Sequence, residues 1–164
     1  MLVSFRAVCA ACALGALTAC GTVAPAPEQM SFAAIAAPQV PLHPNETPEL
    51  RALINKYAAI YDIPVSLLHR VIIRESTHNP AARNGPYYGL MQILPATARG
   101  MGFQGQPGDL LDAETNLKYA GKYLRGAWLL SDGDEATAVK WYARGYYYEA
   151  KRRGMLVETG LRQG

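Results

Sequence analysis

Three cysteines, Cys9, Cys12 and Cys20, all fall at the start of the chain and none follows. Beyond Cys20, therefore, no disulfide and no thiolate metal site can be built. The histidines, His43, His69 and His78, are scattered without ligand spacing, so no zinc is expected and no cofactor is called for. Charge is sparse as well. Only 18% of residues are charged and the formal net charge is +3, too mild for the strongly basic face that nucleic-acid binding uses. Lys151, Arg152 and Arg153 cluster, but a solvated surface accounts for them. Acidic residues are missing altogether from Ser76 to Met101. The apolar run from Ala7 to Leu17 is too short to cross a bilayer comfortably as a retained helix.

That run is nevertheless informative. Arg6 precedes it and Leu17-Thr18-Ala19-Cys20 ends it, the basic start and apolar core of a secretory signal peptide. The four closing residues resemble the bacterial lipobox. The resemblance implies a signal peptide over residues 1–19, cleavage before Cys20, and acylation of its thiol and new amino terminus. Gly21 in place of Asp implies transfer to the outer membrane, facing the periplasm. The alternative is conventional cleavage with Cys20 an ordinary cysteine. Each buried methylene of an acyl chain contributes about 0.8 kcal/mol, so multiple acylation makes a stable membrane anchor. Residues 20–47 are rich in Ala and Pro, with Pro25, Pro27, Pro38, Pro41 and Pro44 breaking any periodic pattern. They read as a linker that rises about 3.1 Å per residue and reaches at most ~80 Å.

The remaining length suits one domain. Thr47 and Pro48 form a helix start, an N-cap followed by a first-turn proline. Leu50, Leu53, Ile54, Tyr57, Ala58 and Tyr61 follow at the spacing of one buried helical face. A second helix is expected from Ser66 to Glu75, because Leu68, Val71, Ile72 and Glu75 recur at i, i+3, i+4 and i+7. Asn79-Pro80 stops it, and Asn84-Gly85-Pro86 signals a turn. Pro95 opens a short helix through about Arg99, with Leu90 and Ile93 before it as core. Asp112 caps a long helix whose buried face holds Leu117, Ala120, Gly121, Leu124 and Trp128. After the Asp132-Gly133-Asp134 turn, one last amphipathic helix carries Val139, Tyr142 and Tyr146. Residues 155–164 read as a short tail.

Glu75 is the residue with chemistry to offer. It sits in the last turn of an apolar helix, where burial and the negative end of the helix dipole both disfavour the carboxylate. A carboxyl group kept partly protonated can act as a general acid. The alternative is a surface pairing with Arg70 or Arg74.

Glu75-Ser76, Asn79-Pro80 and Gly89-Leu90-Met91-Gln92-Ile93, with Pro95 and Thr97-Ala98, together resemble the catalytic domain of soluble lytic transglycosylases (SLT), related to goose-type lysozyme. Asn116-Leu117, Ala120-Gly121, Tyr123-Leu124 and Trp141-Tyr142-Ala143-Arg144-Gly145 extend the resemblance. It implies an all-α, lysozyme-like fold over residues 48–154 with a substrate groove. It also implies catalysis by Glu75 and a sugar site that includes Ser76, Met91, Gln92 and Tyr142. Tyr88, beside Tyr87, either stacks on sugar rings or packs the loop. Two departures stand out: the loop before Gly89 is shorter than the family's, and Ala143 replaces a common Asn, a role Arg144 could take.

The resemblance further implies that the substrate is peptidoglycan glycan strands; a monomer is expected. Two-carboxylate glycosidases need a second acid, and the stretch after Glu75 has none. A single acid suffices if the substrate supplies the nucleophile. In the family, the 2-acetamido group of N-acetylmuramic acid assists, and its 6-hydroxyl closes a 1,6-anhydro ring. A hydrolytic muramidase and a non-catalytic wall-binding lipoprotein are the alternatives.

Overall fold

A computed structural model describes residues 40–162. The signal peptide, Cys20 and most of the expected linker lie outside the described residues. Within them the fold is all-α and lysozyme-like, with one two-stranded hairpin.

Helix α1 spans Pro48–Ile60, and the Thr47 hydroxyl accepts a hydrogen bond from the Leu50 N–H at 3.1 Å. Helix α2, Val65–Glu75, buries Leu67, Leu68, Val71 and Ile72. It ends at Glu75, before Asn79-Pro80. The Ser76 and Thr77 N–H groups both return to the Ile72 carbonyl, and Thr77 and His78 take positive φ angles of 51° and 62°. Two consecutive left-handed non-glycine residues are costly, and they reverse the chain directly beyond Glu75.

The turn at Gly85-Pro86 joins strands β1, Arg83–Asn84, and β2, Tyr87–Tyr88. Helix α3 follows at Pro95–Gly100, then a 3₁₀ segment at Pro107–Leu111 that the glycine-rich sequence does not announce. The Asp112 carboxylate caps α4, Ala113–Leu129, by accepting from the Thr115 N–H at 2.8 Å. This helix is the centre of the core. Leu117, Ala120, Leu124 and Ala127 are fully buried, together with Ile54 of α1, and Leu68 and Ile72 of α2. Each large aliphatic side chain so buried stabilises the fold by about 1.5–3 kcal/mol.

Three expectations are corrected. The last helix is two: α5, Glu135–Arg144, stops at Gly145, whose φ of 81° and ψ of 151° belong to glycine alone, and α6 runs from Tyr147 to Arg153. The residues after Gly154 are not a loose tail, because Thr159 is buried and Met155, Leu156 and Leu161 pack against the core. At the other end, residues 40–47 are a strap docked on the domain. The Glu46 side chain is fully buried, and Arg51 grips it through Nε–Oε1 at 2.5 Å and Nη2–Oε2 at 2.6 Å. Burial disfavours the Glu46 carboxylate, but the Arg51 hydrogen bond and the His43 N–H outweigh that and bring its pKa down to about 2. Composition could not reveal this docking, since it depends on partners in α1 and α2.

Candidate active site

Glu75 ends α2 at the edge of a groove of about 570 Å³. Its side chain keeps 24% of its exposure, and its Oε1 lies 3.4 Å from Arg74 Nε. The pairing with Arg74 therefore exists, yet the carboxyl still faces the groove. Burial raises its pKa above the ordinary carboxyl value, and the Arg74 charge opposes the rise. The net rise is in the direction that a general acid needs.

Facing Glu75 is the loop from Tyr88 to Ile93, which the fold closes tightly. Tyr88 and Ile93 exchange backbone hydrogen bonds of 3.1 Å in both directions, and the Gly89 N–H donates to the Ala82 carbonyl at 2.8 Å. Gly89 has φ of 74°, and a Cβ there would lie 2.1 Å from the Leu110 carbonyl oxygen and 2.3 Å from Asn116 Nδ2. Asn116 is the lock. Its fully buried amide donates to the Tyr88 and Leu110 carbonyls at 2.9 and 2.8 Å and accepts from the Met91 N–H at 2.9 Å.

The expected sugar-site residues divide. Gln92 and Tyr142 line the groove. Gln92, at a left-handed φ of 47°, donates its amide to the Gly89 and Ala82 carbonyls at 2.8 and 3.0 Å. Tyr142 donates its hydroxyl to the Met91 carbonyl at 2.8 Å. Burial, then the nearby Glu75 and Tyr123, raise its pKa well above the ordinary value, so it stays a phenol. Ser76 donates to the Leu90 carbonyl at 2.7 Å and ties the end of α2 to the same loop. Thus the donors of Ser76, Gln92 and Tyr142 are spent on backbone carbonyls and hold the loop's shape.

Met91 is fully buried core and presents no wall to the groove. Of the two tyrosines, Tyr87 lines the groove, whereas Tyr88 packs against the core with the Arg83 guanidinium 4.6 Å from its ring centre. Alternation along β2 decides this: neighbouring strand residues face opposite ways. The remaining wall comes partly from Tyr123, whose ring meets Tyr142 edge-on at 5.5 Å, and from Arg144, stacked on Trp141 at 3.9 Å. Arg144 does reach the groove beside Ala143. Sequence reasoning missed Tyr123 and Asn116 as site-building residues. Their signal was their position beside the buried stripe of α4.

Among the described residues that line the groove, Glu75 is the sole carboxylate. Asp109 closes a capping box with Gln106, Asp112 caps α4, and Glu114 pairs with Lys56 at 2.5 Å. Each of these acids is engaged elsewhere.

A helical lysozyme-like domain with one acid at the edge of an open groove defines a glycan-processing class of protein. Residues 52–153 match the family model described as the transglycosylase SLT domain, well over half of the chain. The chain belongs to that family, which acts on peptidoglycan in the manner of lytic transglycosylases. Comparison with curated proteins and with solved structures finds no match.

Proposed function

We propose that this protein cleaves the β-1,4 bond between N-acetylmuramic acid and N-acetylglucosamine without consuming water. Glu75 protonates the glycosidic oxygen as the bond from C1 to that oxygen breaks, with the 2-acetamido group assisting. The 6-hydroxyl oxygen of the same muramic acid then bonds to C1 and returns its proton to Glu75. The product is a 1,6-anhydro end, and the acid finishes as it began.

The reading rests on the single carboxylate of the groove. Two-carboxylate hydrolysis needs a second acid about 5–9.5 Å from the first, and the candidate acids are engaged elsewhere. Mass spectrometry of muropeptides released from purified peptidoglycan tests the proposal. Anhydro-muramyl ends are expected from the wild type, with yields about 10²- to 10⁴-fold lower from Glu75→Gln. Reducing ends carrying added water would replace this mechanism with a muramidase's, and glycan binding without products from either protein would point to a wall-binding module.

The location proposed is the periplasmic face of the outer membrane, with a monomer anchored through acylated Cys20. The support is the lipobox-like Leu17-Thr18-Ala19-Cys20 and Gly21. Cys20→Ser is expected to move the protein from the membrane fraction to the soluble one.

A further inference from the structure

The histidines that seemed scattered along the chain meet in the fold. His43 and Glu46 come from the strap, His69 from the middle of α2, and His78 from the reversal just beyond Glu75. One ligand atom of each lies within 4.8 Å of those of the other three. Their spacing along the chain gave no sign of this meeting. None of the four lines the groove, so the reaction leaves them unused.

The chemistry of the cluster is specific. Three imidazoles and one carboxylate are a donor set of the zinc class. Glu46, His69 and His78 are buried, and His78 is 0% exposed. His69 Nδ1 and His78 Nε2 approach to 3.0 Å. The other nitrogen of His78, Nδ1, is buried without a hydrogen-bond partner, a state that native structures rarely leave unexplained. Glu46 Oε1 lies 3.9 Å from His69 Nε2 while Arg51 holds both carboxylate oxygens. That is the outer hydrogen bonding expected of a ligating carboxylate; the His43 N–H also donates to Oε2 at 2.8 Å, so Oε1 is the oxygen that retains a further lone pair.

We propose that His43, Glu46, His69 and His78 bind a divalent transition-metal ion of the zinc class and clamp the strap to the end of α2. Zinc–nitrogen bonds of about 2.05 Å in a tetrahedron set donors about 3.4 Å apart, so the widest pair must close by ~1.4 Å. His43 is the ligand able to move. It is only partly buried, and its ring lies nearly parallel to that of His78, at 4.8 Å and 10°, so it must rotate to direct a nitrogen at the ion. Four protein donors fill the tetrahedral shell, which makes the role structural. The clamp would brace the chain reversal after Glu75 from both sides, since Asn45 already donates to the Thr77 carbonyl at 3.1 Å. The proposal does not depend on the reaction assigned to Glu75.

The test uses the full chain in detergent, stripped with chelator and titrated with zinc or cobalt(II), reading thermal unfolding and visible absorption. One equivalent of zinc is expected to raise Tm by several degrees, and cobalt to show a tetrahedral nitrogen–oxygen spectrum free of thiolate charge transfer. His43→Ala, at a partly exposed position, should fold normally and weaken binding by roughly a hundredfold or more, whereas Glu75→Gln should bind metal as the wild type does. An unchanged Tm, a thiolate spectrum reporting Cys9, Cys12 or Cys20, or undiminished binding by His43→Ala would each overturn the proposal.

Discussion

The raised pKa of Glu75 has opposite consequences for the proposed reaction and for stability. Folding raises its pKa, so the folded state holds the proton more tightly than the unfolded chain does, and the ionised form costs stability at neutral pH. Glu75→Gln is therefore expected to have a higher Tm than the wild type at pH 7. That gain should vanish as pH falls below the unfolded value of about 4.5, which thermal unfolding across pH would show. Arg74 acts in the other direction, since its charge lowers the Glu75 pKa. Removing it in Arg74→Gln should shift the alkaline limb of the activity profile to higher pH, because the acid stays protonated further up. Gly89→Ala tests the loop. Its Cβ would overlap Leu110 and Asn116 and the residue would keep a positive φ, so a loss of about 3 kcal/mol is expected in denaturant unfolding.

At the scale of elements, Gly145 separates α5 from α6 and lets the chain pass the groove. A Cβ there would meet only the Tyr123 hydroxyl, at an ordinary 3.7 Å. The expected cost of Gly145→Ala is therefore conformational, about 1–3 kcal/mol, and circular dichroism melts would measure it. The starts of α1 and α4 were legible because capping is local: Thr47 and Asp112 bond to N–H groups three residues away. The break at Gly145 was not, because Tyr142 and Tyr146 are both buried on either side of it and mimic one continuous stripe. The end of α2 at Glu75 was legible, but the reversal beyond it was hidden, since the left-handed Thr77 and His78 have no residue-type signal.

Across the whole molecule, strap and C-terminal segment each complete the core. The strap is held by Arg51, which also donates to the carbonyls of Val40 and Pro41 at 3.3 and 3.1 Å. Arg51→Ala would leave the Glu46 carboxylate buried without its partner. A loss of about 2 kcal/mol is expected in chemical denaturation, below that of a deep ion pair because Arg51 touches solvent.

The sequence by itself determined the helical class, the family motif, the aim of Glu75 and the lack of a second acid near it. All of these are written in short-range spacing, where helix period and capping act. Only the tertiary structure decided that Tyr87 faces the groove and Met91 does not, that Asn116 locks the loop, and that three distant histidines and Glu46 come together. Such meetings depend on which surfaces pack, and packing joins residues whose separation along the chain carries no periodic trace.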